Sequence, residues 1–211
     1  MNTTHYFTGR WRYGLTFIII LFLLALHRQT NGTKTIVTVT GVINGGSGDM
    51  LHIFGRERNF MGKPFTVVFT FDNTKGTPTP LSGCEGSATG VEGIGANSPG
   101  TAVLTIAGKS FTFGTQKYSH SGTWREIASG CSESHLVFEA DDDTARHNVM
   151  IEVNVHPPEL RGSFSQNPDW RAPLSIPEVN LDSMSGFAID HDSIYGDGGR
   201  FDIKSITIKR E

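Results

Sequence analysis

Between Phe65 and Asp72 the chain reads FTVVFTFD, with Phe65, Val67, Phe69 and Phe71 at alternate positions and Thr66, Thr70 and Asp72 among the residues between them. Successive side chains of an extended strand point to opposite faces, so this period of two puts four large apolar groups on one side of a sheet and polar groups on the other. A helix would scatter the same phenylalanines around its circumference. The period recurs in IVTVTGVI (36–43), TAVLTI (101–106), SFTFG (110–114), HLVFEA (135–140) and HNVMIEVNVH (147–156). In the last of these, Val149, Ile151, Val153 and Val155 share a face. Phe201 and Ile203 alternate as well, but the apolar phase then jumps to Ile206 and Ile208. One extra residue around Lys204–Ser205 restores it, which predicts a β-bulge.

Turn signals punctuate these runs: INGGSGD, DNTKG, IAGK, NPDW and YGDGG. Gly45-Gly46-Ser47-Gly48 reads as a flexible hairpin, since it opens no helix and lacks the lysine of a phosphate-cradling loop. Short strands at this spacing predict an all-β domain, an antiparallel β-sandwich or jelly roll, preceded by one N-terminal hydrophobic helix.

That helix is the stretch Leu15 to Leu26 (LTFIIILFLLAL), preceded by Arg10 and Arg12. As a helix it spans roughly 18 Å, short of the roughly 30 Å hydrocarbon core of a bilayer. A basic start followed by a short apolar core is the pattern of an export signal. The Ala25-Leu26-His27 segment offers no clear cleavage site, so an uncleaved anchor is the alternative. Either way residues 31–211 are expected outside the cytoplasm as a single β-sandwich domain, secreted, periplasmic or anchored, with residues 1–30 as signal peptide or membrane anchor. The membrane is then contacted only through the N-terminal segment. The net charge of −3, with scattered basic residues, speaks against nucleic acid, which needs a concentrated cationic face.

The block GVINGGSGDMLHIFGRERNFMGKPFTVVFTFD (41–72), with TAVLTIAGKSFTFG (101–114) and the terminal FDIKSITIKR, resembles a family of secreted bacterial β-sandwich proteins of unknown function related to PEP-CTERM-sorted proteins. Many members carry a C-terminal sorting tail; this chain ends at Glu211 without one. The shared motifs are turn glycines and core aromatics. The resemblance therefore implies a secreted β-sandwich and no particular chemistry.

Cys84 and Cys131 are the only cysteines. In an oxidising compartment, within the loop-like SGCEG and SGCSES, they are expected to pair as a disulfide. Asp190, Asp192 and Asp197, in DHDSIYGDGG, could supply oxygen ligands to calcium. The run fails the EF-hand pattern, because Ile194 stands at the third ligand position and no glutamate closes the loop, and a hairpin turn is the competing reading. No other cofactor is indicated. Trp124, Trp170, Tyr118 and Tyr195 fall near loops, where exposed rings beside polar groups stack on sugars. Trp170, with Asn167 and Asp169 nearby, is the leading candidate for such a platform; rings capping the sandwich core are the alternative.

No catalytic residue is assigned, for no G-x-S-x-G elbow or H-E-x-x-H is present and Ser119-His120-Ser121 makes no triad. The expected function is therefore an exported, non-enzymatic interaction or adhesion module that binds a glycan or a cell-surface protein. The alternative is a secreted jelly-roll carbohydrate-active hydrolase or lyase. It would use Glu139, Asp141, Asp142 or Asp143 with a partner such as Glu126 or Glu152, and needs those carboxylates to converge on a concave sheet face.

Overall fold

The computed structural model describes residues 33–48, 53–54, 59–79, 87–127, 134–142, 147–155, 169–176, 182–183, 185–189 and 197–211. The chain divides into residues 1–31 and Gly32–Glu211, and every described residue belongs to the second unit. Among them no helix is long and apolar enough to cross a membrane. The stretch Leu15 to Leu26 lies outside the described residues.

The described chain is all-β. Its strands are β1 (Lys34–Gly48), β2 (Pro64–Asp72), β3 (Thr77–Pro78), β4 (Ser87–Ile94), β5 (Gly100–Ile106), β6 (Lys109–Phe113) and β7 (His120–Ile127). There follow β8 (Ser134–Asp141), β9 (Asn148–Val155), β10 (Leu174–Ile176), β11 (Asp182–Ser183), β12 (Gly186–Ile189) and β13 (Asp197–Arg210). All pairings are antiparallel and join one hydrogen-bonded sheet in the order β3-β4-β7-β8-β9-β12-β13-β1-β2-β5-β6, with β10 paired to β13 and β11 to β9. The strands expected to divide between two sheets are thus continuous through the central β13–β1 pair.

The alternation in the sequence is met in three dimensions. Phe65, Val67, Phe69 and Phe71 of β2 are buried, as are Val149, Ile151 and Val153 of β9. The sheet curls until strands far apart in hydrogen-bonding order face each other: the rings of Phe69 and Phe71 on β2 lie 5.8 and 6.2 Å from that of Phe138 on β8. A second aromatic group continues the core, with Phe65 stacked on Phe201 at 4.1 Å and Phe201 on Phe187 at 5.7 Å. Polar links reinforce the closure, since the Gly100 amide donates to Ser121 Oγ across the curl at 2.6 Å.

Two local predictions are tested directly by strand register. Thr40 pairs with Ser205 but Gly41 with Ile203, which leaves Lys204 as the extra residue of a bulge. Both halves of β13 thereby keep their apolar residues on the core side, Phe201 and Ile203 before the bulge and Ile206 and Ile208 after it. The GGSG run, by contrast, is not a hairpin. β1 continues through it, pairing Gly46 with Gly199 and Gly48 with Gly198 across two register shifts. Gly46 has φ +141°, and a Cβ there would lie 2.1 Å from the Gly198 carbonyl oxygen, so the glycines permit a backbone approach that side chains would block. The IAGK signal does form a tight hairpin, with Ala107 and Gly108 at φ 50° and 77°, the pair of positive values that a two-residue turn demands.

Candidate functional site

The face of β4, β7 and β8 that points away from the core carries the most unusual polar grouping among the described residues. Strand register builds it in rows. Ile94 pairs with His120 and His120 with Asp141; Glu92 pairs with Gly122 and Gly122 with Glu139; Gly90 pairs with Trp124 and Trp124 with Val137. Leu136, Phe138 and Ala140 of β8 enter the core. By alternation Glu139 and Asp141 therefore point the other way.

His120 Nδ1 lies 3.4 Å from Glu139 Oε1 and 3.6 Å from Asp141 Oδ2, and the three side chains are only 26, 27 and 24% exposed. The His120 backbone amide also donates to Asp141 Oδ1 at 2.9 Å. Gly122 makes room for this arrangement, since a Cβ at that position would sit 3.1 Å from Glu139 Oε1 and 3.5 Å from Glu92 Cβ. The Glu139 carboxylate occupies the space that a side chain on β7 would otherwise fill.

The electrostatics follow from that half-burial. Loss of solvation raises the Glu139 carboxyl above its ordinary value; His120 pulls it back, while Asp141 and Glu92 push it further up. Burial likewise raises Asp141 against the opposing hydrogen bonds and charge of His120. Two carboxyl groups with elevated proton affinity thus share one imidazole nitrogen.

Asp142, the next residue, faces elsewhere. Its buried Oδ1 accepts from the Gly114 and Thr115 amides at 2.9 and 3.1 Å and from Ser119 Oγ at 3.3 Å, and Oδ2 lies 3.6 Å from His147 Nδ1. Its role is to tie the β6–β7 loop to the start of the β8–β9 turn. Glu152 sits one row from Glu139, opposite Val137. Of the acidic residues considered for catalysis, Glu139 and Asp141 are the two brought together. Glu126 is placed by backbone opposite His135 on β8, and Asp143 lies outside the described residues.

Trp170 is placed differently from the exposed platform expected of it. It is 5% exposed, packs edge-on against Phe71 at 5.4 Å, and its amide donates to Thr89 Oγ1. The polar neighbours that suggested a loop instead form a capping turn. Asp169 accepts from Arg171 Nε at 2.8 Å and Nη2 at 3.2 Å; burial alone would raise its carboxyl, but the Arg171 hydrogen bonds and charge outweigh that and hold it low. Beneath the turn lies Arg125, fully buried on the core side of β7, with Nη1 3.4 Å from the Asp169 carbonyl.

The Trp124 backbone pairs with Gly90 and Val137. Asp197 opens β13, paired with Ile189 of β12. Asp190, Asp192, Asn167, Tyr195, Cys84 and Cys131 lie outside the described residues. Among the described residues no three His, Cys, Asp or Glu side chains form a group able to hold a metal. His120, which the sequence shows only in a Ser119-His120-Ser121 run without a triad, joins Glu139 and Asp141 through the β7–β8 register alone. No protein-family model matches the chain, and no curated protein or solved structure matches it significantly.

Proposed function

We propose that the chain is an exported, non-enzymatic interaction module that binds a hydroxyl-rich ligand, a glycan of the matrix or cell surface, through the outer face of β4, β7 and β8. The observation that carries this reading is the half-buried His120–Glu139–Asp141 group. A water-facing sheet surface normally leaves its polar side chains free in solvent; drawing two carboxylates inward costs free energy, and in exchange gives rigid acceptors of the kind that orient sugar hydroxyls. Trp124 follows Gly122 by two positions on β7, paired with Gly90 and Val137, and is the aromatic residue we assign to the ligand. The basic–apolar start at Arg10 to Leu26 supports export and contact with the membrane through that segment alone. The turn and core motifs shared with secreted bacterial proteins support the same compartment, and the packing of β2 over β8 supports a sandwich or jelly-roll architecture. The reading requires no cofactor.

The test is a glycan array followed by titration calorimetry on the full-length chain. Saturable binding, weakened at least about ten-fold by Glu139→Gln and by Trp124→Ala without loss of melting temperature, is expected. Glycan binding that ignores both substitutions would refute the assignment of this face. One observation favours a second reading, a secreted carbohydrate-active hydrolase: both carboxyl groups hold protons to higher pH than ordinary ones, as a general acid must. Release of reducing ends from a polysaccharide at pH 5, lost in Glu139→Gln, would establish it instead.

A further inference from the structure

Ile94 and Tyr118 are two of the three large hydrophobic side chains that the described residues leave widely exposed, at 64 and 56%. Both border the outer-face group. Ile94 pairs directly with His120, and the loop bearing Tyr118 is fastened to the end of β4 by the Gly95 amide, which donates to the Ser119 carbonyl at 2.8 Å. An apolar ledge therefore adjoins the half-buried acceptors. Exposed apolar side chains next to convergent polar groups are the composition that a small-ligand surface uses.

The charges facing the ledge are unbalanced. β4 contributes Glu92, β7 His120, and β8 Glu139 and Asp141; on β9 the residues opposite Asp141 and Glu139 are the uncharged Asn148 and Met150. Among the described residues, Lys117 stands next to Tyr118 and sets its Nζ over that ring, 5.1 Å from the centroid. That ring already receives an ammonium group, held by an exposed and flexible side chain.

We infer that this face takes an amine-bearing glycan, a hexosamine oligomer, whose ammonium groups meet Glu92, Glu139 and Asp141 while its ring packs on Tyr118 and Ile94. The inference rests on the glycan-binding reading above and adds a charge preference to it. Uronic acids and sulfated sugars are repelled by the three carboxylates. Lys117 competes for the Tyr118 ring, so its removal strengthens binding.

The experiment is calorimetric titration of the full-length chain at pH 6.0 with tetramers of glucosamine, N-acetylglucosamine and galacturonate, alongside a lysine tetrapeptide. The glucosamine tetramer is expected to bind about ten-fold more tightly than its acetylated counterpart, and galacturonate weakest. Tyr118→Ala is expected to weaken glucosamine binding several-fold, Lys117→Met to tighten it, and Glu92→Gln with Glu139→Gln to erase the preference for the free amine. Equal binding of the two hexosamines, still weakened by Tyr118→Ala and Glu139→Gln, would overturn the charge preference and leave glycan binding standing. No binding of any sugar would overturn both. A lysine peptide bound as tightly as the glucosamine tetramer would overturn the sugar assignment in favour of a basic protein partner. Tyr118 and Lys117 are exposed, so neither substitution threatens the fold.

Discussion

Replacing Trp170 with alanine separates a core residue from a sugar platform. The indole is 5% exposed and meets Phe71 edge-on at 5.4 Å, with the Arg171 guanidinium 6.0 Å from its ring. Truncating a buried tryptophan costs about 3–5 kcal/mol, from lost apolar transfer and from the cavity left behind. The amide hydrogen bond to Thr89 Oγ1 belongs to the backbone and survives the substitution. For a domain of this size each kcal/mol moves the melting temperature by about 2–4 °C, so a fall of about 6–20 °C is expected. Trp170→Phe keeps most of the ring volume and should recover around half of the loss. Urea unfolding followed by far-ultraviolet circular dichroism reads both variants, and a lower midpoint with an unchanged slope is the expected form. An alanine variant melting within about 2 °C of the parent, with glycan binding abolished, would refute the assignment of Trp170 to the core.

Four further outcomes are expected. Glu139→Gln should raise the melting temperature at pH 7 and leave it unchanged near pH 3. The folded carboxyl is held above its unfolded value, so the ionised group destabilises the fold above the folded pKa and that penalty disappears as pH falls through it; a variant less stable than the parent at pH 7 would contradict the burial argument. Asp142→Ala strands the Gly114 and Thr115 amides and should cost about 3 kcal/mol in urea unfolding, whereas Asp142 acting only as a surface charge would cost almost nothing. Gly122→Ala should change stability by under about 1 kcal/mol, because the atom it meets is the end of a flexible carboxylate, yet displace Glu139 and weaken glycan binding; unaltered binding would show that the carboxylate position does not matter. Cys84 precedes the first residue of β4 by three positions, Cys131 follows the last residue of β7 by four, and those strand ends, Ser87 and Ile127, pair. A disulfide is therefore expected, and its reduction should destabilise the chain by about 4 kcal/mol; two alkylatable thiols in the unreduced protein, found by mass spectrometry, would exclude it.

The strands whose inward residues are uniformly apolar were legible from the sequence, because β2, β5 and β9 each carry an uninterrupted period of two. β7 was not. Its inward face reads Ser121, Thr123 and Arg125, all buried, so its period is polar on both sides and resembles a loop. β4 escaped notice for a related reason, with glycine at positions 90 and 93 and few apolar residues to mark a phase. Missing those two strands hid the site, since His120 meets Glu139 and Asp141 only through the β7–β8 register. The carboxylates were visible as an acidic run at the end of β8, but adjacent residues on a strand point to opposite sides, and the separate fates of Asp141 and Asp142 follow from that alternation. Trp170 was legible only as a choice between a sugar platform and a cap on the core, and its burial agrees with the cap: Asp169 and Arg171, which look like solvent-facing neighbours, satisfy each other and let the indole turn inward.

The middle of the sheet is made from the two ends of the domain. β1 and β13 pair from Thr35 with Arg210 to Gly48 with Gly198, and Lys34 and Glu211 exchange backbone hydrogen bonds. Contacts so distant along the chain form late and slowly. β13 follows the other twelve described strands in chain order, so the sheet lacks its central seam until all of them have been made. Closing that seam sets Lys34 beside Glu211, so the first and last strands of the sheet end at the same place and neither end can fray without loosening the other.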